Sequence, residues 1–330
     1  MCIIYFVIPR HHQAKWSNQL KKAAKGECSI EEIAPELTSG VDVWLLQTWI
    51  ILSHLSDTKG YTFKIVEHGM PDAISIFHYD HAKPCYGLFN CYPIVVQADR
   101  PKVPYSGIRI IQNPAIPQTQ RVHYIPLWIQ PGLIPRNPLR GTTIERISIP
   151  GSAQYLPPAI HSPAFIQRLK DINIKLHVMN AGNWMDYSNT DLILAWRPKV
   201  SKYVLNTKPP SKLFNAWHAN TPALLGAEPA YQALRKHPDD YFEVQSTNDI
   251  IQYIQRMKQH PEEYTRILNH YKIQANTFTR QHIIDKWFSL FNIAQQAKQI
   301  STKATLKKLS SYAYRKTYNQ LLKHIKIWDD

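Results

Sequence analysis

Lys208 and Lys212 stand on either side of Pro209-Pro210-Ser211. Leu213, Phe214, Ala216, Trp217 and Ala219 follow at helical spacing, with Ser211 as the expected cap, so Lys212 falls in the first turn of a helix. A cation there faces the positive end of the helix, which costs about 0.3–1 kcal/mol. A bound phosphate would reverse that sign, because backbone N–H groups and an ammonium both attract anions. The alternative is two surface lysines. Arg197 closes an apolar stretch over residues 191–196. Its guanidinium fork matches phosphate oxygens or a carboxylate partner. Asn215 lies one turn after Lys212 and can hydrogen-bond a ligand hydroxyl. Glu228 follows the apolar run Pro222-Ala223-Leu224-Leu225-Gly226. It suits a ligand's hydroxyls, or the start of the next helix.

A second group of polar residues follows apolar stretches in the first half. His78 and Asp80 come directly after residues 73–77, and Glu67, His68 and Asp99 hold similar places. A reaction that takes a proton from a hydroxyl needs a general base, and a loop-held His is the commonest type. His78 and Asp80 therefore lead, against the plainer reading of exposed loop residues. His78-x2-His81-x3-Cys85-x5-Cys91 matches no standard zinc spacing, so no metal is expected. No cofactor is expected either.

The segment Lys208-x3-Lys212-Leu213-Phe214-x-Ala216-x2-Ala219-x-Thr221-Pro222-Ala223-Leu224-Leu225-Gly226 resembles the donor segment of GT-B glycosyltransferases, in the family 1/4-like C-terminal domain. A weaker likeness extends over residues 147–291. The resemblance implies a sugar moved from a nucleotide-diphosphate donor to a glycan or lipid-linked acceptor, as in polysaccharide biosynthesis, without a metal. It implies donor binding by Gly151, Arg197, Lys208, Lys212, Asn215 and Glu228. The retaining branch carries Glu-x7-Glu here, and this chain has Thr207 and Asn215 at the matching positions. Ser211-Lys212-Leu213-x-Asn215-Ala216 also resembles inverting fucosyltransferases, whose preceding acidic residue is Pro210 in this chain. The loss of both carboxylates supports the alternative of a non-catalytic nucleotide-sugar-binding or scaffold protein.

The elements that must position these groups read as an α/β chain. Apolar runs at residues 3–8, 62–66, 73–77, 92–97 and 108–112 are expected strands, and 43–55 an expected helix. Residues 146–150, 175–179, 191–196, 222–225 and 241–244 are expected strands of a second sheet, followed by helices after Pro261. Each sheet is expected to be Rossmann-like. The two would face across a cleft, so that His78 or Asp80 meets Lys212. The expected domains are residues 1–140, 141–292 and a basic helical tail, 293–330, with the Pro-rich residues 114–138 as connector.

Composition narrows the function classes. The 330 residues carry a formal net charge of +15, which calls for an anionic partner. No two of the 11 glycines lie closer than nine positions, so neither G-x-G-x-x-G nor a P-loop is present. No nucleic-acid module is recognisable, and nucleic acid is not an expected partner. Four cysteines without a CxxC pair fit a reducing compartment, and no apolar run reaches membrane-spanning length. The expected setting is cytoplasmic. Residues 298–330 hold eight Lys or Arg against two Asp, with apolar residues at helical spacing. This suits an acidic membrane face, or a helix packed on the body with its basic side in water.

Overall fold

The structure is a computed structural model. It describes residues 2–55, 59–151, 157–179, 184–300 and 305–325, and the side chains of these except 299–300, 305–309 and 322–325. The chain forms two compact units: residues 1–128, 207–209 and 283–330 make the first, and residues 129–206 and 210–282 the second.

The first unit is built on a six-stranded sheet in the order β2-β1-β3-β4-β5-β6. Its strands are β1 (Cys2–Val7), β2 (Tyr61–Val66), β3 (Ile74–His78), β4 (Tyr92–Val96), β5 (Ile108–Ile111) and β6 (Val122–Tyr124). Every pairing is parallel. Both faces of such a sheet must be covered, which is why β3 is buried at all five positions. Helices α1 (Arg10–Lys15), α2 (Ser17–Ala24) and α3 (Gln47–Ser53) lie in this unit, α3 being entered through a π-helical stretch, Asp42–Leu46. Helices α1 and α2 are separated at Trp16, whose indole Nε1 donates to Asp42 at 2.9 Å. That buried bond fixes Trp16 at the cost of helical continuity. The expected connector also contains β6, a strand of three residues between prolines, too short to leave a periodic signature.

The second unit holds β7 (Arg146–Pro150), β8 (Lys175–Met179), β9 (Leu192–Ala195), β10 (Ala223–Leu225) and β11 (Phe242–Glu243). Their order is β11-β10-β9-β7-β8, again all parallel. Helices α4 (Pro163–Asp171), α5 (Lys202–Leu205), α6 (Ser211–His218), α7 (Pro229–Leu234), α8 (Thr247–Gln259) and α9 (Pro261–Thr277) belong to it. Helix α8 opens with a capping box: Ser246 and Asp249 satisfy each other's backbone N–H groups. At the start of β9, Asp191 is fully buried and gathers six hydrogen bonds. Arg136 Nε and Nη2 donate to it at 3.2 and 3.0 Å, Arg140 Nε and Nη2 at 2.7 and 2.8 Å, and the N–H groups of Glu145 and Arg146 at 2.9 and 3.0 Å. Burial alone pushes this carboxyl up. The Arg140 fork, the two backbone donors and the Arg136 charge outweigh burial and hold it below the usual carboxylate range.

Helix α10 (Arg280–Ile300) starts in the second unit and continues in the first, where Ile283, Ile284, Trp287, Phe288 and Phe291 enter the core around β1 and β2. Helix α11 (Thr305–Ile325) rests on the first unit. Tyr312 meets Phe89 edge to face with centroids 5.7 Å apart, and Asn319 Nδ2 donates to the Lys102 carbonyl at 2.5 Å. Of the expected apolar stripe, the side chains of Leu306, Leu309, Leu322 and Ile325 lie outside the described ones. Among the described residues, no helix is long and apolar enough to cross a membrane.

Candidate functional site

In an open parallel sheet, ligands bind beyond the carboxyl ends of the strands, where the strand order reverses. Numbered from one, the second sheet runs 2-1-3-4-5, so its order reverses between β7 and β9. The chain leaves β7 through Gly151 and leaves β9 through Trp196-Arg197. Gly151 has φ +142°, a conformation that residues with a Cβ rarely adopt, and its N–H donates to the Met179 carbonyl at the end of β8. Residues 152–156, directly after it, lie outside the described ones.

Helix α6 returns the chain from the end of β9 to the start of β10, so its N-terminus belongs to the strand-end side. Leu213, Phe214, Ala216 and Trp217 are buried and hold it on the sheet. Its C-terminus is a Schellman motif. Asn220 is left-handed at φ +49°, its N–H bonds the Trp217 carbonyl, and the Thr221 N–H bonds the Ala216 carbonyl. Its N-terminus differs from expectation. Ser211 is the first helical residue rather than the cap, and no side chain caps the helix. Pro210, which the cyclic side chain fixes near helical φ, occupies the cap position instead. Lys212 is half-buried in the first turn. Asn215, one turn on, points its amide at the buried Tyr187 hydroxyl, 3.5 Å away.

Arg197 and Glu228 meet. Nε is 2.9 Å from Oε1 and Nη2 is 2.5 Å from Oε2, with Glu228 only 2% exposed. Glu228 immediately precedes α7 but does not cap it, since its carboxylate is taken by the guanidinium. A phosphate that uses Arg197 must therefore displace or share Glu228. Lys208 groups with the first unit, where Nζ lies 3.1 Å from Asp99 Oδ2.

The first sheet runs 2-1-3-4-5-6 and reverses between β1 and β3. His78 ends β3 and is 1% exposed. Its Nδ1 is 3.3 Å from the Asp80 N–H and 3.5 Å from Asp80 Oδ2. Its Nε2 is buried without a hydrogen-bond partner and faces Gly40. Burial pushes the imidazole down to about 4, against the opposing Asp80 charge, so the ring is neutral near pH 7. Asp80 receives both arms of Arg100, each at 2.9 Å. Burial raises the Asp80 carboxyl, but those bonds and the His78 and Arg100 charges hold it below its ordinary value. Ala98, left-handed at φ +54°, turns the chain after β4 so that Asp99 and Arg100 follow. That conformation costs a residue with a Cβ about 1–2 kcal/mol.

The space beside His78 gives a direct test. A Cβ on Gly40 would stand 2.7 Å from His78 Nε2. Gly40→Ala is expected to force the ring aside and destabilise the protein by about 1–3 kcal/mol, as overpacking does. A urea midpoint at or above that of the wild type would show that the ring yields without cost.

Sequence reasoning passed over His11 and His12 and met His81 only in the His78–Cys91 spacing; the three stand after the ends of β1 and β3. A His-His pair just after the first buried strand was the available signal. It points nowhere until the strand order sets β1 beside β3.

No family model matches the chain, and no curated protein matches it. Solved structures are similar to it. Sucrose-phosphate synthase from Thermosynechococcus elongatus is 11% identical with a TM-score of 0.49, over 90% of this chain and 100% of that chain. HepE of Anabaena, in complex with UDP, is 10% identical with a TM-score of 0.45, over 91% and 99%. Accessory secretory protein 1, 2 and 3 of Streptococcus pneumoniae is 9% identical with a TM-score of 0.41, over 78% of this chain, which spans 58% of the length of that chain. The chemistry of the site stands on this chain's own residues and strand order.

Proposed function

We propose that the protein is a GT-B-type glycosyltransferase that moves a hexosyl group from a nucleotide-diphosphate donor to a glycan or lipid-linked acceptor. One observation carries the reading. The second sheet reverses its order between β7 and β9, which end at Gly151 and Arg197, and Lys212 sits in the first turn of the crossover helix. In the transfer, the anomeric carbon–oxygen bond to the diphosphate breaks and a bond to the acceptor oxygen forms. The diphosphate leaves with added negative charge. Lys212 and the first N–H groups of α6 suit that charge, and fixed donors aimed at developing charge are a large catalytic contribution. No metal is required at the diphosphate for this role. Asn215 supplies a donor for a ribose or sugar hydroxyl. Gly151 leaves room for close backbone approach. His78 with Asp80 is the base in this reading. The setting is cytoplasmic, with basic residues 298–330 as the contact to acidic lipid.

Thermal shift against UDP-, GDP-, ADP- and dTDP-sugars tests this reading. At 100 times the dissociation constant, one of them is expected to stabilise the protein by about 2.7 kcal/mol. Lys212→Ala should remove most of that gain, each protein being compared with its own ligand-free melting temperature. An equal shift in both proteins would move the donor elsewhere, and no shift with any nucleotide would end the proposal. A second reading rests on the Arg197–Glu228 pair and on Thr207 and Asn215 standing where carboxylates are expected. Under it, the protein binds a nucleotide sugar without turning it over. Donor-dependent stabilisation without donor consumption is its signature.

A further inference from the structure

The first sheet has its own reversal of strand order, between β1 and β3. Three histidines gather there. His11 and His12 lie on α1, which follows β1, and His81 ends the turn that follows β3. One nitrogen from each can be chosen so that all three lie within 4.8 Å of one another. The ring centroids are 4.4 Å apart for His11 and His12, 5.4 Å for His12 and His81, and 6.1 Å for His11 and His81.

Packing alone does not account well for this group. His81 is 8% exposed, and its Nδ1 is buried with no hydrogen-bond partner. Leaving such an atom unmatched costs about 1–3 kcal/mol.

We propose that His11, His12 and His81 form a three-imidazole site for a zinc-class divalent cation, with a fourth coordination position left for water or a ligand oxygen. Nitrogen-only donors select Zn²⁺ and its transition-metal neighbours over Mg²⁺ and Ca²⁺, which take oxygen. A zinc about 2.0–2.1 Å from each nitrogen would hold the three roughly 3.3 Å apart. The rings therefore close by up to about 1.5 Å on binding, a movement open to His11, which is exposed. The bound ion would tie α1 to the turn after β3, the turn that also carries Asp80. This site rests on the first unit alone and does not depend on the transferase reading.

The test uses the tag-free protein after chelator treatment, titrated with Zn²⁺ by calorimetry and with Co²⁺ by visible absorption. One ion per chain is expected, with a four-coordinate Co²⁺ spectrum lacking thiolate charge-transfer bands. His11→Ala removes an exposed ligand and leaves the core intact, so it decides the matter. It should weaken Zn²⁺ binding by at least about 100-fold, more than the 10–100-fold typical of an outer-shell change. His81→Gln should do the same, with circular dichroism confirming the fold. His161→Ala, an exposed histidine of the second unit, should change nothing, and Mg²⁺ should not compete. Wild-type protein that binds no Zn²⁺, or His11→Ala that binds within about threefold of wild type, overturns the site.

Discussion

Asp191→Ala is expected to destabilise the protein by about 3–5 kcal/mol, the cost of breaking a buried ion pair from one side. The mutation removes the acceptor of six hydrogen bonds. It leaves Arg136, 5% exposed, charged and without that carboxylate. Arg140 is less affected, because Nη2 also reaches Glu145 at 3.4 Å. At about 2–4 °C per kcal/mol for a unit of this size, the melting temperature should fall by roughly 6–20 °C. The two units can unfold separately, so the shift belongs to the second transition if two are seen. Asp191→Leu combined with Arg136→Met should recover much of the loss, since apolar replacement of both partners removes the stranded charge. A fall below about 1 kcal/mol in Asp191→Ala would mean that water reaches Arg136 and that the burial is not maintained.

The pH dependence follows from the same group. Its folded pKa is depressed, so the unfolded chain binds the proton more readily. The stabilisation is complete above the unfolded carboxylate value of about 3.9 and is lost as pH falls through the lower folded value. Asp191→Ala should therefore flatten the acid side of the stability curve. An unchanged acid limb would place the titration elsewhere.

His78→Ala is expected to lower sugar transfer by about 10²–10⁴-fold while leaving the donor-induced thermal shift in place. The argument starts from the two ring nitrogens. With the proton on Nδ1, directed at Asp80 Oδ2 3.5 Å away, the Nε2 lone pair faces Gly40. A carboxylate that orients the far nitrogen is the usual arrangement for an imidazole base. With the proton on Nε2, Nδ1 accepts the Asp80 N–H at 3.3 Å instead, and the ring is a core residue. The two forms predict different outcomes for Asp80→Asn, which keeps the volume but removes the charge. Under the base reading, Asp80→Asn lowers turnover as well, by less than His78→Ala. Under the core reading, both variants lose stability and any residual transfer per folded molecule is unchanged. That second result would remove His78 from the chemistry and leave the donor proposal intact.

Much of the architecture was legible before the structure. β8 spans the expected residues 175–179, and the other expected strands lie within one residue of their runs. Parallel strands covered on both faces are nearly continuous in Val, Ile and Leu, so they stand out from polar loops. The Lys208–Glu228 stretch forms the helix and strand its spacing implies, with a left-handed turn at Asn220 between them. Asn220 tolerates the left-handed conformation that the turn needs, and that is a property of the residue. β6 stayed hidden because three residues cannot establish a period.

Partnership was decided by the tertiary structure. Arg197 faces Glu228 because β9 and β10 pair in parallel, and both residues leave the same end of adjacent strands. Lys208 reaches Asp99 because its segment groups with the first unit. His11 and His12 meet His81 because β1 lies beside β3, with β2 on the outer side. Residue type fixes what a side chain can bind. Strand order fixes what it finds, and that order is set by burying both sheet faces at once, a condition no local stretch of sequence contains.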